Sequence, residues 1–538
     1  MSYAWNYAEI LAEVEKVTPA NQPALIHGDR VIYWQDFIRR TNNLARNLLE
    51  AGVQPGDKIA FYLRNCPEYP EGVAAAFKAN LVHVNVNYRY IDHELIYLLD
   101  NSDAAVVVYQ AEFQPLVDKI RGELPKVKLW VSADNGEPSV YEELAEKGDG
   151  TPPDARHSPD DLIFVYTGGT TGLPKGVMWR HDDLFRLQNT AVENTGLSDL
   201  PFPDMEAFIR MIVSNPRPVS MPLPPIMHGT GLTVAISTMM HGGTCITLPS
   251  RRFDPEMALD YIDRYHVKKI TIVGDAFARP LLEALDANPG RWDFSSLAVI
   301  TSSGVMWTKE VKAGLLRHNE NLRLLDIFGS SEAAGMGASE MTRDREVDVA
   351  KFTIGPNCKV FTEAHHEVAP GSGEAGMVAV TGHLPLGYYK DKEKTEKTFK
   401  VINGVRYAIP GDWVRVETDG TLTLLGRGSN CINTAGEKVY PEEVEEALKL
   451  HEGVEDALVF GVKDAKWGQS ITAVVQFARG HQINEQELRE FARQHLAAYK
   501  IPKRILSKDN LERAPNGKAD YGAIMAFAEK TVSAPSES

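Results

Sequence analysis

Short β-branched runs at residues 58–63, 104–109, 127–131, 162–165, 269–273 and 297–300 alternate with longer stretches whose apolar residues recur at helical spacing. Strands this short and apolar are buried on both faces, and the helices between them supply the cover. The alternation therefore predicts an α/β fold of parallel or mixed sheets covered by helices. Before the first of these runs, residues 24–26 and 31–33 flank Asp29 and Arg30 and read as a hairpin. A helix over 37–49 follows it. At 538 residues the chain exceeds what one hydrophobic core supports, so two or more domains are expected.

The character changes near residue 426. "GRGSN" (426–430) has the composition of an interdomain link. Beyond it a helix opens on Pro441, strands are expected at 457–461 and 471–477, and a helix at 485–498. The expected organisation is a large N-terminal domain, 1–425, a hinge, 426–430, and a small mobile α+β domain, 431–538.

Several function classes are excluded early. A net charge of −16 disfavours general nucleic-acid binding, since a phosphate backbone would be repelled. No apolar run approaches the roughly eighteen residues of a membrane span. The start, Met1-Ser2-Tyr3-Ala4-Trp5-Asn6, has neither the basic nor the apolar region of a signal peptide. Cys66, Cys245, Cys358 and Cys431 lie far apart, against a disulfide framework or structural zinc. A cytoplasmic enzyme is the expectation, with contact at a membrane surface left open.

The chemistry sits in a few loops. "YTGGTTGLPKGV" (166–177) combines Thr167, Gly168, Gly169, Thr170, Thr171, Gly172 and Lys175. Backbone N–H groups of such a turn, with hydroxyls and an ammonium, suit phosphate oxygens. Pro174 before Lys175 and Gly176 after it exclude the Walker P-loop. "PPIMHGTG" (224–231) carries His228, and "TSSGV" (301–305) carries Ser303, Gly304 and Val305. "DIFGSSE" (326–332) offers Asp326, Ile327, an aromatic platform at Phe328, Gly329, a hydroxyl at Ser331 and, at Glu332, an oxygen ligand for Mg²⁺. "PGDW" (410–413) places Asp412 for a ribose diol, "GR" gives Arg427, and "APNGKAD" (514–520) puts Lys518 on a polar loop.

This order of motifs resembles the adenylate-forming superfamily, which includes acyl-CoA synthetases, firefly luciferase and nonribosomal-peptide adenylation domains. The resemblance runs from about Trp34 to Tyr521. It implies ATP, Mg²⁺ and coenzyme A, and a small carboxylic acid as substrate. It also implies that Thr167 and Glu332 serve the metal and that Lys518 bridges carboxylate and α-phosphate. Asp412 and Arg427 would hold the ribose side, His228 would stand near the carboxylate, and Gly436 would line the pantetheine tunnel after a hinge rotation. Homodimers are frequent among such relatives.

The sequence departs from the family pattern in places. Ile409-Pro410 precede Gly411-Asp412 where Arg or Lys and Thr are common. Ser429 stands at the hinge position that is usually Asp or Lys, Asn433 replaces a frequent Lys, and Ala435 a Gly. Lys518, Glu332 and Asp412 are all retained. "KGVMWRHDDL" (175–184) and 426–445 look most like bacterial acyl-CoA synthetases acting on fatty or bulky acids. Asp275 is read as a helix N-cap rather than an ammonium ligand, with Phe277, Val305, Met306 and Met336 around an apolar pocket. Luciferase-type oxidation, carrier loading in trans and a non-catalytic nucleotide-binding role remain as alternatives.

Overall fold

The computed structural model describes residues 3–169, 172–193, 202–305, 307–347, 350–428, 432–434, 437–464, 468–496, 498–513 and 519–533. It divides into two units, Met1–Val349 with Val380–Ala408, and Ala350–Ala379 with Ile409–Ser538.

The first unit is built on two sheets. In one, the parallel strands Arg323–Phe328, Val299–Ser303, Lys269–Ile272, Val219–Pro222, Thr244–Thr247 and Pro23–His27 lie side by side in that order. Antiparallel strands Gly337–Met341 and Arg30–Tyr33 flank them. The early hairpin forms as expected, but its turn is Gly28-Asp29, because His27 pairs with Arg30 and Gly28 takes φ +63°. Helices Pro255–Tyr265, Asp275–Ala287 and Lys309–His318 pack Leu259, Ile262, Leu281 and Leu315 onto the strand residues Ile270, Ile300 and Leu324. This is the doubly covered parallel arrangement that the apolar runs require.

The second sheet has seven strands. Leu129–Ala133, Ala104–Gln110, Lys58–Tyr62, Val82–Asn85 and Leu162–Gly169 are parallel, and Gly172–Arg180 and Gly387–Tyr388 close it in antiparallel fashion. Leu95, Leu98, Val117 and Ile120 from two helices cover Val84, Val107 and Phe164.

In the second unit, Lys351–Ile354, Leu422–Arg427, Asp412–Val416 and Ala375–Val380 form an antiparallel group. A five-stranded mixed sheet follows, centred on Val454–Asp464 and Gly468–Phe477. Its helices, Pro441–Lys449, Glu485–Ala492 and Tyr521–Ser533, bury Val444, Leu448, Leu488 and Ile524. The helix expected to reach residue 498 ends at Ala492. The chain there tightens to i→i+3 bonds, Gln494 N–H to Phe491 O at 3.0 Å and His495 N–H to Ala492 O at 3.1 Å. Among the described residues no helix is long and apolar enough to cross a membrane.

Candidate functional site

The glycine-rich loop is not an open loop. Residues Leu162–Gly169 and Gly172–Arg180 form an antiparallel hairpin in which Thr167 faces Lys175 and Gly169 faces Gly172. Thr170 and Thr171 lie outside the described residues. The hairpin forms because Phe164, Val165, Tyr166, Val177 and Trp179 are all buried on its two arms, and burial outweighs the low strand propensity of glycine. Gly176 is needed for packing, since a Cβ there would stand 2.6 Å from the Tyr166 ring. One arm continues the parallel sheet through Val84 against Phe164, so the hairpin has a rigid root.

Lys175 is paired with Asp391. The same carboxylate caps the helix Lys392–Thr398 by accepting from Lys394 N–H at 2.9 Å. Burial pushes the Asp391 carboxyl up, but its bonds to Lys175 and to the Lys394 backbone outweigh that and hold it below the usual range. The segment before Asp391 is laced to the hairpin's outer arm. Leu386 N–H donates to Met178 O and Tyr389 N–H to Gly176 O, both at 2.8 Å.

Two other motifs meet this hairpin. His228 ends a tight turn, its N–H donating to Pro225 O at 3.0 Å, and precedes the helix Gly229–Met240 as its N-cap. A Cβ built on Gly229 would lie 3.8 Å from Ser331 Oγ and 3.8 Å from Val165 Cγ1. The His228 turn, the hairpin strand and the Gly329–Glu332 segment therefore converge. Trp179 Nε1–H on the outer arm donates to Ser331 O at 3.0 Å, and Tyr388 O–H donates to Glu332 Oε1 at 2.7 Å.

Ser303 and Ile327 are partners on adjacent parallel strands, as are Ser302 and Asp326. Ser303, Gly304 and Val305 thus lie beside Asp326, Ile327 and Phe328 at the carboxyl ends of two neighbouring strands, where α/β sheets open their crevices. Gly304 adopts φ +92° as the chain leaves its strand. Lys312 is bonded to Asp326 and lies 5.3 Å from the centre of the Trp307 ring. Burial raises the Asp326 carboxyl to about 6 against the opposing pull of Lys312. Phe328 is buried to 7% exposure, and Val305 is packed against the core.

One expectation is corrected here. Gly274, not Asp275, is the N-cap of the helix Asp275–Ala287. Asp275 accepts from Thr308 N–H at 3.0 Å, Thr308 Oγ1–H at 2.8 Å and Arg279 Nη2–H at 3.1 Å. Phe277 packs on Phe253, with ring centres 4.8 Å apart, in the core that Val305 also joins. Met336 is fully buried, and Met306 lies outside the described residues.

In the second unit, Asp412 and Arg427 stand directly opposite one another on antiparallel strands. Gly426, at φ +125°, leaves its α-carbon bare against the Glu442 carboxylate, so no side chain fits there. Ser429, Gly436 and Lys518 lie outside the described residues. The chain on either side of 514–518 is anchored. Arg513 makes two bonds to Asp456, at 2.5 and 2.8 Å, and Tyr521 O–H donates to Glu445 Oε1 at 2.8 Å.

Asn85, Tyr388 and Asp391 escaped the sequence reading. Asn85 alone left a local trace, because asparagine is depleted in strands yet ends the buried run Val82–Asn85. Its amide bonds both to Tyr166 and to Met227 O. The partners that bring Tyr388 and Asp391 to this site, Glu332 and Lys175, are remote in sequence.

Comparison with known proteins matches residues 11–389 to the AMP-binding enzyme family and residues 443–518 to the AMP-binding enzyme C-terminal domain. The chain is 37% identical over 530 residues to a medium/long-chain-fatty-acid–CoA/3-oxocholest-4-en-26-oate–CoA ligase of Mycolicibacterium smegmatis, covering 96% of this chain and 95% of that one. It is 38% identical over 532 residues to a 3-oxocholest-4-en-26-oate–CoA ligase of Rhodococcus rhodochrous, covering 96% and 95%. Its fold matches the crystal structure of ATP-bound MatB from Rhodopseudomonas palustris with a TM-score of 0.83 at 23% identity, over 98% of this chain and all (100%) of that one.

Proposed function

The chain belongs to the AMP-binding enzyme family, and as an acyl-CoA synthetase of that family we propose that it joins a fatty or bulky apolar carboxylic acid to coenzyme A in two steps, in the cytoplasm. In the first, a carboxylate oxygen attacks the α-phosphorus of ATP and the bond to pyrophosphate breaks, giving an acyl-adenylate. In the second, the coenzyme A thiol attacks the acyl carbon, the bond to AMP breaks and the thioester leaves.

The observation that carries this reading is the convergence at Gly229. One bare α-carbon lies against both Ser331 and Val165, so the phosphate hairpin, the His228 turn and the Glu332 carboxylate share one site. In this reading Thr167, Gly168, Gly169, Thr170, Thr171, Gly172 and Lys175 hold the β- and γ-phosphates. The strand ends carrying Ser303, Gly304, Val305, Asp326, Ile327, Phe328, Gly329 and Ser331 hold the nucleoside side. Asp412 and Arg427 take the ribose side, Lys518 neutralises charge as the α-phosphate is attacked, and Gly436 lines the path of the pantetheine arm.

Glu332 and Thr167 offer hard oxygen donors, and among the described residues there is no cluster of three or more metal-ligating side chains. That donor set fits Mg²⁺, which takes one or two protein oxygens and completes its shell with water and substrate phosphates. When bound, it would neutralise phosphate charge. Lys175 would exchange Asp391 for phosphate when ATP enters.

The commitment of Asp275 to Thr308 and Arg279 removes the carboxylate best placed to bind a substrate ammonium. That supports an apolar acid, the class named for the mycobacterial and rhodococcal relatives. The test is incubation with ATP, Mg²⁺ and a panel of fatty, steroid and amino acids, with and without coenzyme A. Thioester formation with coenzyme A-dependent AMP release is the expected result. AMP release indifferent to coenzyme A would refute the ligase reading.

A further inference from the structure

Asn85 is the last residue of the strand Val82–Asn85 and is only 4% exposed. Parallel pairing between this strand and Leu162–Gly169 runs through His83 with Ile163 and Val84 with Phe164. Beyond it the side chain of Asn85 takes over. Its Oδ1 accepts from Tyr166 N–H at 2.7 Å, and its Nδ2 donates to Tyr166 O at 2.8 Å. The amide thus copies the two-way exchange of a paired backbone. The second Nδ2 hydrogen goes elsewhere, to Met227 O at 2.7 Å. Both donors of the amide and one acceptor are then used within a buried site.

The two carbonyls held by that one nitrogen each sit one residue before a functional candidate. Tyr166 precedes Thr167, and Met227 precedes His228. Bound to the same atom, they cannot be further apart than the two bonds laid end to end, about 5.5 Å. The His228 turn is steadied from a second side by Asn65, whose Oδ1 accepts from Ile226 N–H at 2.7 Å. Asn65 holds only the turn. Asn85 spans from the turn to the root of the phosphate hairpin.

We propose that Asn85 is a positioning residue for acyl-adenylate formation, setting the separation between Thr167, which faces phosphate, and His228, which faces the carboxylate. This rests on the ligase reading above. The two reacting groups approach from these two elements, and displacements well under an ångström at the root are enough to lower the rate of in-line attack. Apolar packing alone does not substitute, because removing the amide leaves two buried carbonyls and one N–H without partners.

The test compares Asn85→Asp, which keeps the shape but loses both donors, with wild type, His228→Ala and the double variant. Adenylation is read as acid-dependent exchange of pyrophosphate into ATP, thioester formation is read from supplied acyl-adenylate, and the folded fraction is read by circular dichroism. Asn85→Asp is expected to lower kcat for adenylation by at least about tenfold, the size of one buried hydrogen bond. Thioester formation should stay within about twofold. In the His228→Ala background the effect of Asn85→Asp should shrink to below about threefold, because coupled residues are non-additive. If Asn85→Asp does not fold, Asn85→Ser, which keeps a hydroxyl donor and leaves room for water, carries the same comparison. Unchanged adenylation, equal loss of both half-reactions, or the full effect in the His228→Ala background each overturns the proposal. Failure of the wild type to exchange pyrophosphate with any acid would instead overturn the ligase reading.

Discussion

Replacing His181 with Phe should remove a measurable part of the protein's sensitivity to acid. His181 opens the helix that follows the outer arm of the glycine-rich hairpin, and its N–H donates to Asp161 O at 2.8 Å. The ring is 2% exposed and lies edge-on to Tyr7 and Phe77, each at 5.0 Å between centres. Among the described residues neither ring nitrogen has a partner in good hydrogen-bond geometry, and the Leu162 backbone favours the charged ring less than burial opposes it. Burial, reinforced by the nearby His157, pushes its pKa down to about 3 from the ordinary 6.5.

Because the folded value is the lower one, the unfolded chain takes up a proton that the folded chain refuses between pH 6.5 and 3. The stability from the neutral ring is present above 6.5 and is lost as pH falls towards 3. At pH 5.5 the loss is about 1 kcal/mol, and at pH 4.5 about 3 kcal/mol. His83, buried between Phe61 and Tyr69 and lowered to about 4, adds a similar loss at pH 5.5 and is unaffected by the substitution. The assay is urea unfolding at pH 7.5 and 5.5, with midpoints compared through a shared slope. His181→Phe should lose about 1 kcal/mol less than wild type between the two pH values. An identical loss in both proteins would refute the argument and show that the ring is protonated or hydrated in the folded state.

Three further outcomes are expected. Gly176→Ala drives a methyl group to 2.6 Å from the Tyr166 ring, so it should destabilise by about 1–3 kcal/mol and weaken ATP binding; thermal melting and the KM for ATP check it. Asp275→Asn should lower stability by about 1–2 kcal/mol through the weakened bonds to Thr308 and Arg279 without changing the preferred acid. A gain or loss of amino-acid substrates on the panel would contradict the structural role. Tyr388→Phe removes the 2.7 Å bond that orients Glu332 and should raise the Mg²⁺ concentration for half-maximal rate by roughly threefold to tenfold; an unchanged Mg²⁺ titration counts against Glu332 as the ligand.

The sheets were largely legible because strands buried on both faces have to be apolar along their length. Ala104–Gln110 is buried at every position but the last, and residues 104–109 read as a strand, with a buried helix segment as the alternative for so short an apolar run. Hairpins were legible only to within a residue: the turn at Gly28-Asp29 was placed one position late, since both registers keep the apolar residues inward. The glycine-rich hairpin was hidden for a different reason. Glycine and threonine carry little strand signal, and Gly176 is explained only by the Tyr166 ring ten residues earlier in sequence and directly across in register. Asp275 looked like a cap because its partner Thr308 is 33 residues away. Asp412 and Arg427 were named as separate motifs, and only the strand register makes them neighbours.

What the sequence could not show is how the chemistry-bearing residues are held, and that determines where substitutions act. Thr167 and Lys175 face each other on the arms of one hairpin, but they are held by different means. Thr167 follows the residue that Asn85 clamps by backbone-like bonds. Lys175 is held by an ion pair to Asp391 in which both side chains keep a quarter or more of their surface or close to it, 38% and 24%. A partly exposed pair of this kind is worth at most about 1 kcal/mol, so an incoming triphosphate can displace the carboxylate at little cost. The clamp at Asn85 has no such exchange open to it, because its three partners are main-chain groups at a residue only 4% exposed. In the proposed reaction the hairpin is therefore held firmly where the attack would be aligned and exchangeable where the leaving group would be caught and released. Changes at its root should act on kcat, and changes at the Lys175–Asp391 end on the KM for ATP.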